Sequence, residues 1–172
     1  MKSQKLWRSI LTVLYGFLKS YAFLLAGGAT LAGTILAVSV YYESPMIWDL
    51  GVLFVKHFYF GLVAGFLIHE IAHALLLSIT MRELKDIRTE SSFARFSILV
   101  AGRSTGRGIF VTAMAGPVVA AVFGFFMNVV FPNFDLLAWY FLHLFFLLPL
   151  FGDGRAMLFG IRHWRSVVDI GE

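Results

Sequence analysis

The chain of 172 residues has no cysteine and little charge. Without cysteine no disulfide framework can form. Asp, Glu, Lys and Arg together make up 14% of the residues, where ordinary soluble domains carry about 25%. Hydrophobic residues make up 59% and the mean hydropathy is +0.82. A chain this short cannot hide that much apolar surface in one water-soluble core, because small folds leave a large share of their surface exposed. The shortage of charge therefore excludes a soluble enzyme, a disordered tail and a nucleic-acid-binding module. The pI near 9.6 does not reopen the last of these, since the basic residues flank apolar runs. Internal repeats, low-complexity runs and interdomain linkers are also missing. The expectation is a single membrane domain over 1–172, all-α and integral to the bilayer.

A membrane helix needs about 20 mostly apolar residues. Four stretches qualify: Ser20 to Tyr42, Gly51 to Met81, Gly108 to Phe134, and Leu136 to Leu158. They define a four-helix core over 19–158, followed by a tail over 159–172. The segment 1–18 has a basic start and an apolar middle, as a signal peptide does. It reads as an interfacial helix or as an extension of the first span. Between the second and third spans, Phe93 to Val100 partly alternates in polarity and predicts a short strand, while Gly102 to Gly108 reads as a turn or flexible loop.

Lys and Arg set the orientation. Lys2, Lys5 and Arg8 precede the first span, six arginines and lysines lie between Arg82 and Arg107, and Arg162 and Arg165 follow the fourth span. The connections Tyr41 to Asp49 and Phe131 to Asp135 contain neither Lys nor Arg. By the positive-inside rule both termini and the β element face the cytoplasm, in a multi-pass protein of the cell membrane. Tyr41, Tyr42, Trp48, Trp139 and Tyr140 are then expected at the outer interface, where amphipathic rings collect. Lys56 can snorkel outward.

Ionisable groups inside spans are costly and usually functional. Two acids lie deep within the spans, Glu70 and Asp153. Glu70 belongs to His69-Glu70-Ile71-Ala72-His73, an H-E-x-x-H pattern. On a helix the two imidazoles share one face a turn apart and reach one metal ion, and the Glu beside it can take a proton from the ion's water. A catalytic zinc site has three protein ligands and one open position. Asp153 is a candidate third ligand. His73 lies nine residues before Arg82 and Asp153 nine before Arg162, so both sit roughly 14 Å in from those charges.

These residues, with Ala115-Gly116-Pro117 on the third span and Phe151-Gly152-Asp153-Gly154 on the fourth, resemble the site-2 proteases, a family of intramembrane zinc metalloproteases. The resemblance covers about Leu53 to Leu158 and implies the family's three core helices, here with one extra helix. It implies that His69, His73 and Asp153 bind one zinc ion per chain and that Glu70 activates water. The implied activity is endopeptidase cleavage within or near a transmembrane or signal-peptide-like segment of another membrane protein. A strand at Phe93 to Val100, where the family often has a β-hairpin, can hold an unwound substrate by edge pairing. The chain departs from the family at Ala120 and at Phe145 and Phe146, where asparagines are common. Asn128 is a candidate substitute, although it lies about 16 Å along the helix from Pro117.

Other readings stand beside these. His69, Glu70 and His73 can form a polar patch satisfied by neighbouring helices, or a metal site without proteolysis, as in a non-catalytic relative that binds metal or transmembrane segments. Asp153 can pair with Arg155. Gly116-Pro117 reads as a kink and small-residue packing face, or as part of the site, and Gly61 and Gly65 read as helix packing. His57 and His143 read as structural, or as the second ligand pair of a metal-transport or redox four-helix protein. The basic loop reads as a topology and lipid-surface signal, with substrate binding as the alternative.

Overall fold

The computed structural model describes residues 2–92, 95–131, 133 and 135–171. Helix α1, Lys2–Tyr41, runs unbroken for 40 residues, about 60 Å or twice the hydrocarbon thickness of a bilayer. The segment 2–18 is thus continuous with the first apolar stretch. Its inner face is buried at Ser9, Val13 and Phe17. Glu43, with φ 47°, ends the helix. Ser44 is extended before Pro45, as residues preceding proline tend to be, and the next helix begins there.

That second helix comprises α2 (Pro45–Val55), a π-helical stretch (Lys56–Val63) and α3 (Ala64–Thr80). Helix α4, Gly106–Val130, starts on Thr105, whose side chain accepts from Gly108 N at 3.1 Å. Helices Leu6–Tyr41, Pro45–Thr80 and Gly106–Val130 are each long and apolar enough to cross a membrane. The fourth expected span is not continuous. It consists of α5 (Leu137–Phe141), a 3-10 helix (Leu142–Leu147), a turn, and α6 (Gly152–Arg162). The two arms are bent by 44°, the geometry of a broken span or of a re-entrant loop, so the helices long and apolar enough to cross a membrane number three, or four if the bent pair counts as one. Pro149 accounts for the break: the residue before a proline avoids the helical region, and Leu148 is extended with ψ 145°.

A three-stranded antiparallel sheet, in the order β1-β2-β3, caps one end of the helices. β1 (Glu83–Ser92) pairs with β2 (Arg95–Thr105) from Glu83↔Arg103 to Ser92↔Arg95. The expected strand at Phe93 to Val100 is therefore one arm of a hairpin displaced toward the C-terminus; Phe93 and Ala94 lie outside the described residues. The expected loop at Gly102 to Gly108 is instead the end of β2 and the first turn of α4. Gly102, at φ 150°, is placed where an added Cβ would run into the Glu83 carbonyl. The tail folds back as β3 (Val167–Ile170), which pairs with Gly102 to Thr105 alone. Over Phe96 to Ala101 the β2 edge facing away from β1 is consequently free of β3.

The sheet is pinned to the N-terminal half of α1. Phe17 meets Phe96 edge-on at 5.7 Å, and Gly16 sits directly against Thr89. On the far side of the bundle, Tyr41, Tyr42 and Trp48 are exposed, as an interfacial belt requires, but Trp139 and Tyr140 turn inward. The Trp139 indole donates to His57 Nδ1 at 2.9 Å, and the Tyr140 hydroxyl donates to the Phe60 carbonyl at 2.6 Å. Both bonds fasten the broken segment to the π-helical stretch. Lys56 donates to the Asn133 carbonyl at 3.3 Å, in the connection after α4.

Candidate metal centre

Helix α3 carries His69 and His73 four residues apart, so both rings leave the same face. Asp153 comes from the first turn of α6, close to the break. Helices α3 and α6 both run toward the sheet, and the fold brings the three groups together. His69 Nε2 lies 3.0 Å from Asp153 Oδ2 and 3.0 Å from His73 Nε2, and His73 Nε2 lies 3.3 Å from Asp153 Oδ1. These residues form a group that can hold a metal ion.

The donor chemistry fits such an ion. His73 Nδ1 lies 2.7 Å from the Thr112 carbonyl, which can only accept, so Nδ1 carries the proton and Nε2 presents a lone pair. That is the outer hydrogen bond that metal-bound histidines ordinarily make. Two nitrogens and a carboxylate thus aim at one point. Tetrahedral ligands at roughly 2.0–2.1 Å from zinc stand about 3.3 Å apart, close to the three separations here. Three ligands leave one position open.

Gly116 of α4 forms the wall behind this point. A Cβ there would stand 2.8 Å from His69 Nε2 and would also press on His73 Nε2. Pro117 and Ala120 are fully buried beside it, and Gly124 abuts Tyr140 one helical segment further on. Gly116 therefore serves helix packing and the site together. The Phe146 ring packs against His69 with centroids 5.2 Å apart, so one of the two phenylalanines at the expected asparagine position shapes the site while Phe145 faces outward.

A cavity of about 1170 Å³ opens onto the three ligands. Glu70 lines it together with His69, His73 and Asp153, and Glu70 is buried at 9% exposure. The opposite wall includes Tyr21 of α1 and the β2 residues Phe96 to Ala101. Arg155, two residues beyond Asp153 and exposed, also lines the cavity; Asp153 is engaged by the two histidines. Asn128 is not among the cavity-lining residues, and none of the described ones is Asn or Gln.

Sequence reasoning named His69, Glu70, His73 and Asp153, and the structure gathers them in one cavity. It missed the Thr112 carbonyl, which carries no side-chain signature, and the ring of Phe146. His57 and His143 are not part of the ligand group; His57 is taken up by Trp139. Comparison with known proteins found no matching family model, no matching curated protein and no matching solved structure.

Proposed function

We propose that this protein is an intramembrane zinc metalloendopeptidase of the site-2 type, cutting a peptide bond within or near a transmembrane segment of another membrane protein. One observation carries the reading: His69, His73 and Asp153 converge at ligand spacing with Glu70 in the same cavity. In this reading the bundle spans the bilayer with both termini and the sheet on the cytoplasmic side.

A bound zinc ion would be held by His69, His73 and Asp153 and would supply Lewis acidity toward a water and a carbonyl. The remaining work falls to the chain. Glu70 accepts the proton of the attacking water and returns it to the leaving nitrogen. The Thr112 carbonyl holds His73 in the tautomer a ligand needs. The edge of β2 beyond its pairing with β3 lines the cavity and suits edge pairing with a substrate segment that has unwound from its helix. The apolar walls at Phe17, Leu24 and Phe66 suit the side chains of a transmembrane segment.

Among the described cavity-lining residues there is no side-chain amide, which favours a second reading, a non-catalytic membrane protein that binds metal or transmembrane segments at this site. Glu70→Gln separates the two. For the protease, the variant retains zinc while one membrane protein accumulates uncut in cells that carry it. Identical membrane proteomes with wild type and Glu70→Gln would establish the non-catalytic reading.

A further inference from the structure

Among the described residues, two buried side-chain polar atoms have no hydrogen-bond partner: His69 Nδ1 and His143 Nε2. They belong to neighbouring rings, with centroids 5.2 Å apart and planes tilted by 44°. His69 is 4% exposed and His143 is 3% exposed.

Their protonation states are complementary. His143 Nδ1 lies 3.1 Å from the Trp139 carbonyl, which can only accept; the proton is on Nδ1 and a lone pair is on Nε2. A ligating His69 uses its Nε2 lone pair, which puts its proton on Nδ1. One ring therefore offers an N–H and the other an acceptor. His73 has its outer partner in the Thr112 carbonyl, whereas His69 has none of that kind.

The chain goes to some length to bring His143 here. Gly65 lies one turn before His69 on the same helix face, and a Cβ at that position would come within 2.9 Å of His143 Cε1. Phe66 meets the His143 ring edge-on at 4.9 Å. The 3-10 winding of Leu142–Leu147 carries both His143 and Phe146 toward His69.

The two atoms do not bond to one another in this structure; we propose that when an ion occupies the site the neighbouring rings turn so that His143 Nε2 accepts the His69 Nδ1–H, making His143 a positioning residue that fixes the ring presenting Nε2 to the ion. This inference rests on the site holding zinc and is independent of whether the protein is a protease.

The test is zinc affinity of the full chain in detergent, measured by chelator competition for wild type, His143→Leu and His143→Gln. Outer-shell partners are typically worth 10–100-fold in metal affinity. His143→Leu should lose about that factor, and His143→Gln, whose amide oxygen can accept, should recover most of it. With cobalt in place of zinc, His143→Leu should shift the d–d bands without losing tetrahedral intensity. Unchanged affinity in His143→Leu overturns the inference, as does an equal loss in both variants with helical content intact. Should His143→Leu fail to fold, the wild-type chain with labelled histidines still decides. A nitrogen–nitrogen coupling between His69 and His143 is expected in the zinc-loaded protein, and its absence overturns the inference. A wild-type chain that binds no zinc defeats the metal-site reading and this inference with it.

Discussion

Gly116→Ala isolates the metal centre from the rest of the fold. The new methyl carbon would lie 2.8 Å from both Cδ2 and Nε2 of His69 and would also press on His73 Nε2, inside ordinary contact distance. His73 has little room to yield, since its other nitrogen is tied to the Thr112 carbonyl at 2.7 Å. His69 is hemmed in by Phe146 and His143. Overpacking of this kind costs about 1–3 kcal/mol. If the strain falls on the ligand set, that cost is a loss of roughly 5- to 140-fold in zinc affinity, at 1.4 kcal/mol per decade. The assay is chelator competition in detergent, with circular dichroism to follow helix content. Gly152→Ala is the matched control: it neighbours Asp153, but an added Cβ there meets nothing within 4 Å. Wild-type zinc affinity in folded Gly116→Ala would refute the claim that α4 closes on the seat of the ion.

Asp153→Ala removes one of three converging donors and should weaken zinc binding by more than the roughly 10–100-fold that outer partners contribute; unchanged affinity by chelator competition would remove Asp153 from the ligand set. The cysteine-free sequence makes single-cysteine labelling clean. Leu150→Cys, at the break and lining the cavity, should react with a membrane-impermeant thiol reagent, while Val122→Cys, on the exposed apolar face of α4, should be protected in lipid; equal protection of both would count against a wet cavity.

Much of the site was legible because H-E-x-x-H is a local pattern. Once 64–80 is helical, the pairing of His69 and His73 follows from helix geometry alone. Asp153 was legible more narrowly, through its equal depth from a basic flank. That count assumed a continuous fourth helix, and the structure reaches the same meeting point through a break at Leu148–Phe151. Pro149 was the available signal for it. The β element was harder to read. Alternation in β2 is blurred because Phe96 packs on Phe17 of α1 while Ser97 to Ala101 line the cavity, so neither strand face is uniformly wet. The tail strand Val167–Ile170 exists through pairing with Gly102 to Thr105, a long-range event that no local window contains. Trp139 and Tyr140 satisfied the composition of an interfacial belt, yet their polar atoms bind His57 and the Phe60 carbonyl. Their partners were set by the π-helical stretch, which sequence periodicity does not reveal.

The break in the fourth span links the site to its setting. At membrane depth, non-helical backbone is tolerated where it is buried in protein or lines a water-filled cavity. Leu150, Phe151 and Gly152 line the cavity that holds Glu70 and the three ligands, and Leu150 is 82% exposed. In a bilayer-embedded bundle, this turn is accommodated by its own hydrogen bonds, Phe151 N to the Leu148 carbonyl and Leu148 N to the Phe145 carbonyl, and by the cavity it lines beside Asp153. Peptide hydrolysis requires water in that cavity. A continuous helix would have satisfied its own backbone and presented a dry face to α3. The broken one starts α6 beside the histidines, so the positive end of the helix dipole supports the Asp153 carboxylate. Pro149 therefore serves two ends: by ending one helix arm it sets a carboxylate at the start of the next, and the turn it creates lines the cavity.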